Sequence, residues 1–227
     1  MTVLGVDGCR GGWVGIALVD GRFQRAWFER TLAELLGRVP EAEVVAVDIP
    51  LGLLETGRRQ AEALARPLLS PHGSRIFSVP PRAAWVESDN DRAAADRISR
   101  QFGGGGMSAQ TWGLKEKVRD ARPCWEAEPQ RLIEVHPELS FRELAGGATV
   151  RPGKKTWNGT AVRRRLLAAA GIVLPDDLGG AGTVPPDDCL DAAAAAWSAQ
   201  RYLEGRAVSL PDPPEPDRLG RPVAVRY

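Results

Sequence analysis

The chain is poor in histidine, cysteine and aromatic residues, and it contains no long apolar run. His72 and His136 are the only histidines among 227 residues, which leaves a histidine-rich zinc centre without ligands. Cys9, Cys124 and Cys189 are odd in number and lack metal-type spacing, so the expectation is a reducing cytoplasm and no disulfide framework. No stretch approaches the roughly 20 apolar residues of a membrane helix. The chain opens directly on a strand pattern, without a basic flank and apolar region, so neither a signal peptide nor a membrane partner is expected. Aromatics are 6% of the residues, and base-stacking platforms are correspondingly scarce. Trp85, Trp112 and Trp157 lie beside basic stretches and are the only candidates, with core burial as the competing reading. A formal net charge of +1 gives no global pull toward nucleic acid.

What is present fits one soluble domain with an insertion. Residues 3–8, 12–20 and 22–29 read as three strands, with Asp20-Gly21 as a two-residue hairpin turn. Thr31 caps a helix over "LAELLGRV", and Glu34 completes a capping box. "VVAV" at 44–47 is a continuous apolar run, the mark of a strand covered on both faces; it ends at Asp48, before Pro50. Two hairpins and a helical crossover predict that this fourth strand runs parallel to the first and beside it. Residues 51–130 form a mostly helical insertion with a proline-kinked loop and the run Gly103–Gly106. A fifth strand follows in "RLIEVHPE". The segments "TAVRRRLLAAAG" and "PPDDCLDAAAAAWSAQRYLEG" are helices ended by Gly171 and Gly205. After about residue 207 comes a proline-rich tail, in which "RPVAVRY" could add an edge strand.

The candidate chemistry is carboxylate chemistry. The predicted pairing sets Asp7 and Asp48 side by side at strand ends, where like charges within ~4–6 Å disfavour one another. On the last helix Asp188 and Asp191 share a face, three residues apart; Asp187 reads as a first-turn acid favoured by the helix dipole. Glu134 places a carboxylate within an apolar strand, and His136 is either a general acid or base or a hydrogen-bonded turn residue. Together Asp7, Asp48, Glu134, Asp188 and Asp191 spell an all-oxygen site suited to Mg²⁺ or Mn²⁺. Two such ions about 4 Å apart serve phosphodiester hydrolysis. Arg151, Lys154, Lys155, Arg163, Arg164 and Arg165 gather in one basic run, either a ligand surface or a solvated helix face with its leading loop.

This order of strands and acids resembles the ribonuclease H-like fold, a mixed five-stranded sheet with flanking helices, and within it the Holliday-junction resolvase branch, which carries a D-x-x-D pair on its last helix. The segments "GVDGCRGGWVG", "VDIPLGL", "SRIFSVPPR", "GMSAQTW", "EVHPELSF", "KKTWNG" and "DDCLDAAAAAW" are similar, over nearly the whole chain, to the domain of unknown function 429 family, whose members are predicted ribonuclease H-like nucleases. The resemblance implies a metal-dependent nuclease acting on nucleic acid or a nucleotide. Ribonuclease H-like enzymes often dimerise, so a homodimer is an expectation too. Two departures stand out: the fourth strand carries Asp48 where the resolvase branch has Glu, and Glu34 is a cap rather than the helix-borne Glu of ribonuclease H, a vacancy Glu134 could fill.

The family motifs add an anion-binding set: Arg10, Ser74, Arg75, Ser78 and Arg82, Ser108 and Gln110 at a helix start after the glycine run, and Lys154 and Lys155. Two other readings remain open on the same residues. Actin-like and sugar-kinase-like ATPases share the core and hold phosphate at a first-strand glycine turn, which "VDGCRGGW" resembles. A non-catalytic nucleic-acid or partner-binding protein would use the acids for a structural cation.

Overall fold

The computed structural model describes residues 1–227 throughout. Strands β1 (Thr2–Cys9), β2 (Gly12–Val19) and β3 (Arg22–Glu29) come first, then helix α1 (Leu32–Arg38) and strand β4 (Val44–Val47). The middle is helical: α2 (Gln60–Leu68), α3 (Arg82–Val86), α4 (Arg92–Gln101), α5 (Ala109–Gly113) and α6 (Lys115–Ala127). Strand β5 (Leu132–Val135), helices α7 (Pro137–Leu144), α8 (Trp157–Ala169) and α9 (Pro186–Leu203), and strands β6 (Ser209–Pro216) and β7 (Pro222–Arg226) complete a mixed α/β chain. The chain has seven strands, where the sequence pattern gives five, with "RPVAVRY" as an added edge strand. The correction lies in the proline-rich tail: Ser209–Pro216 forms β6 despite four prolines, beside β7.

The chain divides into two compact units, one of residues 1–49, 130–208 and 226–227, the other of residues 50–129 and 209–225. In the first, the strand order is β3-β2-β1-β4-β5. The β2–β3 turn is made by Asp20 (φ 47°) and Gly21 (φ 74°), the left-handed pair that a two-residue hairpin requires. Helix α1 carries the expected capping box: the Glu34 amide donates to Thr31 Oγ1 at 3.2 Å, and the Thr31 amide donates back to Glu34 Oε2 at 3.0 Å. β4 runs parallel to β1 with Val6 opposite Val47, and the Asp48 amide extends the pairing to the Val6 carbonyl at 2.9 Å. β5 is parallel to β4 and sets Glu134 opposite Val47.

Helix α9 packs directly on this sheet. Ala192 to Ala196 are fully buried, so the helix is enclosed almost all round rather than along one stripe. A side chain at Gly5 would begin 2.0 Å from the Ala196 nitrogen and 2.1 Å from the Ala192 carbonyl oxygen. Strand and helix backbones therefore touch, which needs glycine on one side and alanine on the other.

The second unit is built separately around its own helices and the β6–β7 pair. Arg59 and Glu62 form a buried ion pair, with Arg59 also donating to the Gly52 carbonyl at 2.8 Å. The Gln60 amide opening α2 donates to Glu215 on β6 at 2.8 Å. Ser99 Oγ donates to the Gly105 carbonyl, and the Met107 amide to Asp96 at 2.7 Å; these bonds fix the glycine run.

Because the Gly5 contact is backbone on backbone, nothing flexible can move aside. Gly5→Ala should destabilise the protein by roughly 1–3 kcal/mol or more, as overpacked cores do. At this chain length that lowers the melting temperature by about 2–4 °C for each kcal/mol. A thermal or urea denaturation curve matching the wild type would show that α9 does not bear on β1 as described.

Candidate metal centre

Asp7 lies on β1 opposite Val14, Asp48 follows the last residue of β4, and Asp191 stands one position before the alanine that meets Gly5. The packing that forces α9 onto β1 thus lowers Asp191 onto the strand ends. One carboxylate oxygen from each of Asp7, Asp48 and Asp191 lies within 4.8 Å of the other two. Asp7 and Asp191 are buried, Asp48 partly so. Asp191 Oδ1 is enclosed without a hydrogen-bond partner, whereas buried carboxylate oxygens are ordinarily satisfied.

Burial and mutual repulsion set the electrostatics. The Asp7 carboxyl is pushed well above the usual range, first by burial and then by the charges of Asp48 and Asp191. Asp48 is raised to about 7 by burial, with Lys154 opposing and Glu134 and Glu138 reinforcing. Asp191 is likewise raised to about 7 by burial, with Lys154 opposing and Asp48 adding to the rise. The Lys154 ammonium forms an ion pair with Asp191 Oδ2. Burial disfavours that ammonium, but the charges of Asp191 and Asp48 outweigh it and hold its pKa above the ordinary lysine range.

Lys154 is delivered by the loop between α7 and α8, and that loop is pinned. Gly159, in the first turn of α8, has the Gly153 carbonyl oxygen 2.0 Å from where a side chain would start, so the loop folds flat on the helix only because residue 159 is glycine. Arg163, fully buried, donates to the Pro152 carbonyl at 3.1 Å, to the Gly159 carbonyl at 3.3 Å and to Glu138 at 2.7 Å. The basic run is therefore not one solvated face, because Arg163 belongs to the interior.

The other expected residues are placed as follows. Glu134 is buried on β5 and acts on Asp48 through its charge. It is not among the three converging groups. Asp188 is half-buried one turn from Asp191, its pKa raised by burial and by Asp187. Asp187 stands in the first turn of α9 as expected, but it is buried, with Oδ2 unpartnered. His136 sits at the N-cap of α7, before Pro137. Arg10 is exposed in the β1–β2 turn and Lys155 is exposed beside Lys154.

In the second unit, Ser74 and Arg75 form a short 3₁₀ turn, and Ser78 Oγ accepts from Arg66 at 2.7 Å. Arg82 lies 4.0 Å from Glu55. Ser108 uses its hydroxyl to cap α5, accepting from the Thr111 amide at 3.0 Å; Gln110 is exposed in the same five-residue helix. Arg66 was not singled out in the sequence, where it reads as an ordinary helix cation.

A family model described as a protein of unknown function (DUF429) matches residues 5–216, nearly the whole chain. The chain belongs to the DUF429 family. No curated protein and no solved structure matches it. The matched span of this DUF429 member contains all three converging carboxylates and Lys154. With oxygen donors only and one of them unpartnered, the cluster can accept a divalent metal ion.

No helix of the chain is long and apolar enough to cross a membrane.

The raised carboxyls give a definite pH dependence to the metal-free protein. Asp48 and Asp191 reach about 7 in the folded chain against roughly 4 when unfolded. Between those values the folded state holds more protons than the unfolded state, so stability is fullest at the acid end and falls as the pH rises toward 7. In EDTA, the melting temperature should drop between about pH 5 and pH 7.5. Asp48→Asn should flatten that slope and raise the melting point at neutral pH. A wild-type slope of opposite sign over that window would contradict the electrostatics described here.

Proposed function

We propose that the protein is a metal-dependent phosphodiesterase of the ribonuclease H-like type acting on nucleic acid, with Asp7, Asp48 and Asp191 holding Mg²⁺ or Mn²⁺. The observation that carries this reading is the convergence of three carboxylates from two strands and a helix, within 4.8 Å, at a place where burial makes their charges costly. A chain gains nothing structural from such a group unless a cation meets it. The strand order β3-β2-β1-β4-β5, with acids on β1, after β4 and on α9, supports the ribonuclease H-like arrangement.

When bound, a divalent ion would supply Lewis-acid polarisation of a phosphoryl oxygen and a lowered pKa for the attacking water. The chain's own groups do the rest. Asp188 and Glu134 add negative charge beside the three ligands and strengthen the pull on a cation. Lys154 favours the ionised form of Asp191 against the effect of burial and, with its side chain one-third exposed, offers a positive group to a phosphate arriving at the cluster. His136, two residues beyond Glu134, is the candidate to carry a proton to the leaving oxygen. Arg10 and Lys155 are exposed cations of the same unit for flanking phosphates. In the second unit, taken by itself, Ser74, Arg75, Ser78, Arg82 and Gln110 are a separate set of candidate phosphate-binding groups.

Titration calorimetry with Mn²⁺, run beside cleavage of labelled single-stranded, duplex, hybrid and branched oligonucleotides, tests the reading. Wild-type protein should bind Mn²⁺ and cut at least one substrate only when metal is present. Asp48→Asn should weaken metal binding and activity by at least about 10–100-fold, as loss of a group supporting the metal does. Equal Mn²⁺ binding by both proteins, or metal-independent cleavage, would defeat it.

A further inference from the structure

Trp157 is 87% exposed, while the other six tryptophans are buried or half-buried. Trp85 is in a core and donates to the Pro80 carbonyl at 3.0 Å, and Trp112 is half-buried with the Lys115 ammonium 4.6 Å from its ring centre. Of the three aromatic candidates, only Trp157 offers an open ring. It has no helix-capping duty either, because Thr156 caps α8 by accepting from the Gly159 amide at 3.0 Å. An indole is the most costly side chain to leave in water.

Its surroundings are equally specific. Trp157 stands three residues after Lys154, the residue paired with Asp191, which limits the separation of their Cα atoms to about 11 Å. Arg151 and Lys155 precede it by six and two residues in the same loop, and both are exposed. The support is rigid: Thr156 Oγ1 donates to the Gly153 carbonyl at 2.8 Å, Thr160 Oγ1 to the Lys154 carbonyl at 3.2 Å, and buried Arg163 to the Pro152 carbonyl at 3.1 Å. An open aromatic face on a pinned backbone, with exposed cations in the loop that leads to it, is the chemistry of a single-strand platform: the ring stacks on a base and the cations follow the phosphates.

We infer that the loop before α8 and its first turn bind an unpaired nucleic-acid strand, with Trp157 stacked on a base and Arg151 and Lys155 on its backbone phosphates, adjacent to the carboxylate cluster. This names the substrate class of the phosphodiesterase reading and rests on it for the link to cleavage, but binding itself requires neither metal nor catalysis.

Fluorescence anisotropy in EDTA with labelled 12-nucleotide probes tests the site: a single strand, its duplex, and the same single strand made abasic throughout. The single strand should bind wild type more tightly than the duplex does. Trp157→Ala should weaken that binding about tenfold, within the range seen for loss of base–aromatic stacking, whereas Trp157→Phe should largely restore it. The abasic strand should bind wild type and Trp157→Ala alike. Because the residue is exposed, melting curves of both variants should overlay the wild type. Single-strand binding unaffected by Trp157→Ala, a preference for duplex, or an abasic strand held as tightly as the intact one would overturn the platform. Stacking confirmed in EDTA alongside absence of metal-dependent cleavage would uphold the platform and defeat the phosphodiesterase reading instead.

Discussion

The contact between the backbones of α9 and β1 governs the rest of the site. With no side chain at Gly5 and only methyl groups at Ala192 and Ala196, the helix lies on the strand as closely as two backbones can. That approach fixes the height of α9 above the sheet, and Asp191 precedes Ala192 by one residue, so the same contact fixes where its carboxylate falls. The run of alanines is thus a matter of thickness before helix propensity. Larger apolar residues would bury more surface, but they would lift Asp191 away from Asp7 and Asp48.

Once brought together, the three carboxylates work against folding. Each is desolvated and each repels the others, which is why their protonation is displaced upward. The chain answers with one internal cation, Lys154, and devotes a second buried ion pair, Arg163 with Glu138, to holding the loop that carries it. Arg163 is the more informative of the two. It touches none of the three acids, yet through the Pro152 and Gly159 carbonyls it fixes the loop from which Lys154 reaches Asp191. Structure spent on presenting one ammonium to one carboxylate is better explained by a site than by stability, since buried ion pairs seldom exceed well-packed apolar groups in net worth.

Much of this was legible in the sequence, and the failures have physical causes. The adjacency of Asp7 and Asp48 follows from two hairpins and a helical crossover, and Asp191 from its three-residue spacing to Asp188. The capping role of Glu34 follows from Thr31 three residues earlier. Trp157 could be named as a stacking candidate but not separated from Trp85 and Trp112, because exposure is decided by packing that sequence does not display. β6 was missed since proline removes ladder donors and argues against a strand, though edge strands tolerate it. Arg163 reads in the sequence as part of a basic run, either a ligand surface or a solvated face, whereas it is buried. The signal was nevertheless present: Gly159, Arg163 and Leu167 recur at intervals of four and form the buried stripe of α8, in which the arginine takes an apolar position by pairing with Glu138.

Charge balance at the cluster limits how many ions it would hold. Fully ionised, Asp7, Asp48 and Asp191 carry three negative charges, and Lys154 supplies one positive charge at Asp191. The remainder matches one divalent cation, whose arrival would return the buried group to neutrality without moving the lysine. A second divalent ion would need further negative charge, and the two acids in position to contribute it are Asp188, half-buried one turn away, and Glu134, whose charge already reaches Asp48. An incoming phosphodiester brings one more negative charge of its own. The charge of the protein alone therefore balances a first ion, whereas on the proposed phosphodiesterase reading a second would be favoured chiefly with substrate present.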